Sequence, residues 1–260
     1  MSAQGTTDGP GRPLRVVVVY PDLLGTYGDG GNGLVLARRA EWRGLPAELL
    51  QARSDHRLPE GEIYCLGGGE DGPQVRAART LLDDGTLPGR VARGAVVLAV
   101  CAGFQVVGRV FPGVDGTPHE GVGLLDVETV KGTGRRAVGE VLVEPTGLPG
   151  LPVLTGFENH GGRTSLLPDS ATVALGTVGA GVGNGGGDGS EGAVRGHVVG
   201  TYLHGPVLAR NPALADLLLS WALGETALSP LDDTAAEDLR SERLAAVGGR
   251  RHRRRAGGRG

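Results

Sequence analysis

Ala95-Val-Val-Leu-Ala-Val-Cys-Ala-Gly-Phe-Gln105 carries an unbroken apolar run into a cysteine. Six apolar residues follow one another without a polar alternation. A strand of this kind is covered on both faces, the situation of a parallel sheet between helices. The run stops at Cys101. Ala102 and Gly103 then give the small side chains that a tight strand-to-helix turn needs, and helical spacing continues to about Arg109.

Working outward, the same grammar recurs. Arg15-Val-Val-Val-Val-Tyr20 is a β-branched run that ends in Pro21-Asp22 and a glycine-rich loop, Gly25 to Gly33. Leu34 to Arg43 has helical spacing. Ala47 to Gln51 and Ile63-Tyr-Cys-Leu66 read as strands, the latter running into Gly67-Gly-Gly69, and Val75 to Leu82 suits a helix. Alternating apolar strands and helices predict an α/β fold with a central, mainly parallel sheet flanked by helices.

The second half reads differently. Val122 to Thr129, Ala137 to Val143, Val153 to Glu158 and Ala171 to Thr177 are short and turn-punctuated, and predict antiparallel additions to the sheet. Residues 179–190 are glycine-dominated and are expected to form a flexible surface loop. Val194 to Leu203 reads as one strand ending at His204, with His197 inside it. Pro212 to Leu223 and Leu231 to Val247 read as helices. The expected organisation is a leader over 1–13, one domain over 14–225, a helical extension over 226–248 and a disordered Arg/Gly tail over 249–260.

Composition narrows the function classes. Of 26 basic residues one is lysine, Lys131, and 49 of 260 residues are glycine. The net charge of −3 hides a split. Residues 1–249 hold 20 basic and 29 acidic residues, a net of −9, and six arginines follow from Arg250 with no acid among them. An acidic body argues against nucleic-acid binding, and the basic end reads as a solvated tail. No apolar run approaches the ~20 residues of a membrane span, and residues 1–13 lack the apolar core of a secretory signal. Two cysteines, Cys65 and Cys101, make neither a disulfide scaffold nor a zinc site. A cytoplasmic protein without a metal of its own is expected.

In parallel α/β sheets ligands sit outside the carboxyl ends of the strands. Cys101 occupies such an end, where the following helix N-terminus favours a thiolate and the turn amides can hold an oxyanion. This is the layout of a nucleophile elbow with cysteine in place of serine. The residues alone also allow a buried core cysteine, the role that suits Cys65. A nucleophilic thiol needs a base. His204, in Thr201-Tyr-Leu-His-Gly-Pro206, and His160, in Phe157-Glu-Asn-His-Gly-Gly-Arg163, each follow a strand and compete for that role. His197 suits a structural role, and His56, His119 and His252 lie in loops or the tail. Gly67-Gly-Gly-Glu-Asp71 can present amides to an oxyanion or a phosphate. It is not a P-loop, since no Gly-Lys-Ser/Thr follows.

These motifs together resemble a known family. Val100-Cys-Ala-Gly-Phe-Gln105 resembles the elbow of class I (triad) glutamine amidotransferases, and Thr201-Tyr-Leu-His-Gly205 resembles the histidine motif of their cobyric-acid-synthase-like branch. Tyr20-Pro-Asp-Leu-Leu-Gly-Thr-Tyr-Gly-Asp-Gly-Gly-Asn32, Leu66-Gly-Gly-Gly-Glu-Asp71 and Gly156-Phe-Glu-Asn-His-Gly-Gly-Arg163 resemble the GatD-like glutaminase subunits of lipid II isoglutaminyl synthase. The resemblance spans roughly residues 15–225. It implies a class I amidotransferase-like domain with Cys101 as nucleophile, His204 as base and the amides around Gly69 and Ala102 as oxyanion donors. It also implies an arginine for the glutamine carboxylate, Arg136 in preference to Arg135, with Gln105 of the elbow among the substrate-binding residues.

The resemblance further implies a heterodimer with a Mur-ligase-like subunit (MurT). That partner would carry ATP and Mg²⁺, and zinc where present, and would amidate the D-glutamate of lipid II at the membrane with ammonia from L-glutamine. Ordinary triad enzymes have His-x-Glu, whereas this sequence has His204-Gly-Pro206. The orienting acid is therefore expected from the partner or from Glu158 or another internal acid. Two other readings stay open: a cobyric-acid-type amidotransferase of corrinoids, and a non-catalytic amidotransferase-like scaffold.

Overall fold

The computed structural model describes residues 12–256. In chain order the elements are β1 (Leu14–Val19), α1 (Gly31–Glu41), β2 (Ala47–Ala52), β3 (Ile63–Leu66), α2 (Asp71–Asp84), α3 (Thr86–Ala92), β4 (Val96–Val100) and α4 (Ala102–Val107). The second half adds β5 (Val110–Pro112), β6 (Pro118–Glu120), β7 (Val127–Lys131), β8 (Ala137–Glu144), β9 (Leu154–His160), β10 (Gly162–Leu166), β11 (Gly176–Ala180), β12 (Ser190–Glu191), β13 (Ala193–Arg195) and β14 (Val198–Thr201). The chain closes with α5 (Val207–Arg210), α6 (Pro212–Leu223) and α7 (Thr234–Ala256). None of the described helices is long and apolar enough to cross a membrane.

The central sheet has the order β13-β14-β4-β3-β1-β2. All its pairings are parallel except β13 with β14. The continuous apolar runs end up where both faces are covered: every residue of β3, β4 and β14 is buried. Parallel pairing puts the carboxyl ends of β1, β3, β4 and β14 along one edge, and the loops that leave that edge build the site.

The second half departs from the expected additions to this sheet. Only the β13–β14 hairpin adds an antiparallel strand there. The remaining strands form two separate four-stranded sheets, ordered β10-β7-β5-β6 and β12-β11-β8-β9. Two expected strands are shorter than their apolar patterns, with β7 starting at Val127 and β11 at Gly176. The expected strand over 194–203 is broken at Gly196, whose φ of +53° turns the chain back. His197 therefore lies in a turn, stacked on Trp221 with ring centroids 5.0 Å apart. Of the expected leader only residues 12–13 are described. α7 runs to Ala256, into the stretch expected as a disordered tail, whose last four residues lie outside the described part.

The expected flexible loop over 179–190 is instead held in place. Gly181, Gly183, Gly185, Gly187 and Gly189 have φ between +64° and +103°, a backbone that other residues adopt only at a cost. The amides of Val182 and Gly183 donate to the Glu158 carboxylate at 2.8–3.1 Å. Asn184 is fully buried and exchanges hydrogen bonds with the Gly192 backbone at 2.8 and 3.0 Å. Low complexity here serves an irregular but specified path, fixed by side chains on either side of it.

Glu191 ties this region to the site. Its Oε1 accepts from the Thr201 hydroxyl at 2.9 Å and the Tyr202 amide at 2.7 Å, just where β14 turns toward His204. Burial pushes its carboxyl up to about 8, more than these donors lower it. The folded chain thus keeps a proton that an unfolded carboxylate, near 4.5, has released. Stability therefore falls as pH rises between those two values. Glu191→Gln should remove that share of the slope, so denaturant midpoints of the wild type should decline more steeply than the variant's across this window. Parallel declines would show that Glu191 is not the group responsible.

Candidate active site

The site begins with a strained residue. Cys101 follows β4 with φ +54° and ψ −106°, a conformation unfavourable for any residue but glycine. Strain of this kind persists only where neighbours enforce it. Here the Cys101 amide donates to the Thr201 carbonyl at 2.8 Å and its carbonyl accepts from the Gln105 amide at 3.1 Å. The turn lifts the thiol above the sheet edge at the N-terminus of α4.

His204 reaches the same place from the neighbouring strand β14. Its backbone makes both hydrogen bonds of a bridge with Phe157 of β9, at 3.0 and 3.1 Å. This explains why the Gly156-Phe-Glu-Asn-His160 motif matters: it holds the histidine loop down. The imidazole is almost fully buried. Its Nδ1 donates to Asp29 Oδ2 at 2.9 Å, and the same carboxylate oxygen accepts from the Gly68 amide at 3.0 Å. Nε2 is buried and makes no hydrogen bond within normal limits, while Cys101 acts on the ring from slightly farther away. Such long contacts are common in unliganded sites.

Within this chain the acid that meets the imidazole is Asp29. Glu158 is not that acid: its carboxylate is taken by the Val182 and Gly183 amides, with His160 Nε2 3.8 Å away. Asp29 is 1% exposed, at the end of the glycine-rich loop after β1. Burial works to lower the His204 pKa, but Asp29 and Cys101 outweigh it and hold the ring at about 9. The ring's share of stability is thus fully present below about 6.5 and lost as pH rises through about 9.

A cavity of ≈ 200 Å³ opens beside the thiol. Gly69, Ala102, Gln105 and Arg136 line it together with Cys101 and His160, so the structure gathers most of the expected site residues. Arg136 donates from Nε to Asn159 Oδ1 at 2.6 Å and from Nη2 to the Asn159 carbonyl at 3.0 Å. Arg135 is exposed and lies outside the lining. Gln105 has its carboxamide engaged, accepting from Gln74 at 2.8 Å and donating to the Tyr202 hydroxyl at 3.1 Å.

Among the other histidines and cysteines, His160 is stacked on Tyr202 at 3.8 Å and its Nδ1 meets the Gly162 carbonyl at 3.2 Å. It forms a wall of the cavity. His56 is exposed beside Asp55, and His119 packs on Phe111 with centroids 5.8 Å apart. Cys65 is buried in β3, and burial pushes its thiol up to about 12, so it stays inert at neutral pH.

Chemically, a thiol at a helix N-terminus beside an acid-held imidazole, next to glycine-turn amides and an arginine, suits attack on a carbonyl carbon of a small anionic molecule. Comparison with known proteins points the same way. The model of the CobB/CobQ-like glutamine amidotransferase domain family matches residues 15–212. The GatD subunit of the glutamine-hydrolysing lipid II isoglutaminyl synthase of Streptococcus pneumoniae is 33% identical over 235 residues, 89% of either chain. Its Staphylococcus aureus counterpart is 36% identical over 212 residues, 80% of this chain and 84% of that protein. A crystal structure of a glutamine amidotransferase superposes with a TM-score of 0.53 at 20% identity, covering 79% of this chain and 98% of that one, and shares the fold.

If Asp29 holds the imidazole as described, Asp29→Asn should lower the His204 pKa from about 9, because the negative partner is gone. An NMR titration of the ring protons reads this directly. An unchanged titration midpoint would show that another group orients His204.

Proposed function

The chain belongs to the CobB/CobQ-like glutamine amidotransferase family, and we propose that it is the glutamine-hydrolysing subunit of a lipid II isoglutaminyl synthase. The observation that carries the chemistry is the Asp29–His204 pair with the Cys101 thiol acting on the same ring at the edge of the cavity. In the proposed reaction Cys101 Sγ attacks the side-chain amide carbon of L-glutamine while His204 Nε2 takes the thiol proton. The oxyanion is held by the amides of Gly69 and Ala102. Collapse expels the amine, which His204 protonates to ammonia, leaving a glutamyl thioester. Water, its proton taken by His204, then cleaves the thioester to glutamate and restores the thiol.

Asp29 keeps the imidazole in the Nδ1–H form and stabilises it when charged, the task of the acid in a catalytic triad. Arg136 suits the α-carboxylate of glutamine because a planar guanidinium can bond a carboxylate through two parallel N–H groups. The acceptor side of the reading rests on the relatives. Two lipid II isoglutaminyl synthase subunits align along most of their own length. On this reading a Mur-ligase-like partner, holding ATP and Mg²⁺ and zinc where present, receives the ammonia in the cytoplasm and amidates lipid II at the membrane. Corrinoid amidation and a non-catalytic scaffold have less support, given those relatives and the complete Cys101–His204–Asp29 set.

Cys101→Ser should abolish glutamate release from L-glutamine. Asp29→Asn should lower kcat on the order of 10²–10⁴-fold, the usual worth of well-placed acid–base catalysis. Arg136→Ala should act mainly on KM, raising it by about tenfold or more, as expected for loss of a charged hydrogen bond. A Cys101→Ser chain that still releases glutamate at the wild-type rate would overturn the mechanism.

A further inference from the structure

Arg136 and the Cys101 thiol both meet one residue of β9. Asn159 accepts from Arg136 Nε through its side-chain Oδ1 at 2.6 Å and from Nη2 through its backbone carbonyl at 3.0 Å. The same carbonyl oxygen lies 4.0 Å from Cys101 Sγ, the reach of a weak thiol hydrogen bond. No other residue among those described accepts a hydrogen bond from the Arg136 guanidinium.

Antiparallel pairing accounts for the contact. β8 and β9 set Ala137 opposite His160 and Val138 opposite Asn159. Continued by one residue, this register puts Arg136 opposite Gly161 and diagonal to Asn159, on the same face of the pair. A diagonal neighbour is within reach of a long side chain. Gly161 has no side chain to intervene, and a Cβ there would lie 3.9 Å from Arg136 Nη1. The residues flanking Asn159 are committed elsewhere. Glu158 is buried and bonded to the Val182 and Gly183 amides, and His160 is buried and stacked on Tyr202. The backbone that carries Asn159 is thereby fixed on both sides.

Arg136 is exposed, with many rotamers to lose on meeting a ligand. A guanidinium anchored at two of its nitrogens has given up that freedom beforehand, and preorganisation of this sort raises affinity without a new contact to the ligand. We propose that Asn159 is a positioning residue that sets the Arg136 guanidinium at a fixed distance from the Cys101 thiol, so that a glutamine gripped at its α-carboxylate has its side-chain carbon at the sulfur. Arg136 lines the cavity and Asn159 does not, so the Asn159 carboxamide acts through the arginine. Its carbonyl belongs to the backbone and survives substitution. The inference rests on the reading of the chain as a glutaminase with Arg136 as the partner of the carboxylate.

Asn159→Ala should raise KM for glutamine by about 5- to 20-fold, in line with losing a hydrogen bond to a charged group, and lower kcat by a smaller factor. In an Arg136→Ala background the same substitution should change KM by less than about twofold, because a residue that acts only through its partner has nothing left to contribute once the partner is gone. Alkylation of Cys101 gives a readout independent of turnover. Iodoacetate carries a carboxylate and iodoacetamide does not, so the ratio of their rates reports a guanidinium set beside the thiol, and the second reagent controls for damage to the thiol itself. Asn159→Ala should lower that ratio by about threefold or more, the scale expected when a charge–charge attraction near the surface is relaxed. An unchanged KM in Asn159→Ala would overturn the proposal. So would KM effects that multiply in the double variant, or equal slowing by both reagents, the marks of a residue that only supports the hairpin. A wild-type chain that does not hydrolyse glutamine would overturn the glutaminase reading instead, and the alkylation ratio would still decide whether Asn159 sets Arg136 beside the thiol.

Discussion

One buried carboxylate oxygen, Asp29 Oδ2, accepts from the His204 imidazole and from the Gly68 amide. Three separate loops meet at that atom: the one after β1, the glycine turn after β3 and the histidine loop after β14. A charge buried in this way is costly, and Oδ1 of the same carboxylate is buried without a hydrogen-bond partner, so the two donors on Oδ2 resist any movement that would separate them from it. The arrangement therefore fixes position as well as charge. It holds the His204 imidazole at a set tautomer and holds the glycine turn against that ring.

The parallel sheet makes this convergence possible. Register between β1, β3, β4 and β14 brings their carboxyl ends to one edge, so residues as far apart in sequence as Asp29 and His204 become neighbours. The smaller sheets then act from the side. β9 fixes the His204 backbone through Phe157, and Glu158 of the same strand anchors the glycine-rich segment by its amides. Tyr202 is shared between the layers. It lies under His160 and joins Gln105 to the buried pair Thr164 and Thr129 at 2.7–3.1 Å. A hydrogen-bonded network of this length stiffens the floor of the cavity.

Much of this was legible in the sequence, and the rest was hidden for identifiable reasons. Unbroken apolar runs such as Val96–Val100 reveal a buried parallel strand, because only such strands need no polar face. Cys101 and His204 stood out because each follows such a run at a strand end. Asp29 did not, because the usual place for the acid is two residues after the histidine, and an aspartate between glycines reads as turn chemistry. The clue lay in topology: an acid in a loop leaving the same sheet edge. The second half was misread for a different reason. Short alternating strands specify a face but not the sheet they join, so β8 to β12 could not be assigned from pattern alone. Glycine content likewise does not distinguish a mobile loop from one whose left-handed positions are each required, and Glu158 and Asn184 decide that question for residues 181–189.

The chemistry proposed for this site requires Cys101 to form a covalent bond to the side-chain carbon of a glutamine-like molecule inside the cavity. Intact-mass and peptide mass spectrometry of the chain after treatment with an electrophilic glutamine analogue tests it most directly. One adduct per chain is expected, located on Cys101 and suppressed by excess L-glutamine. Labelling that L-glutamine does not suppress, or an adduct on Cys65 in place of Cys101, would contradict it.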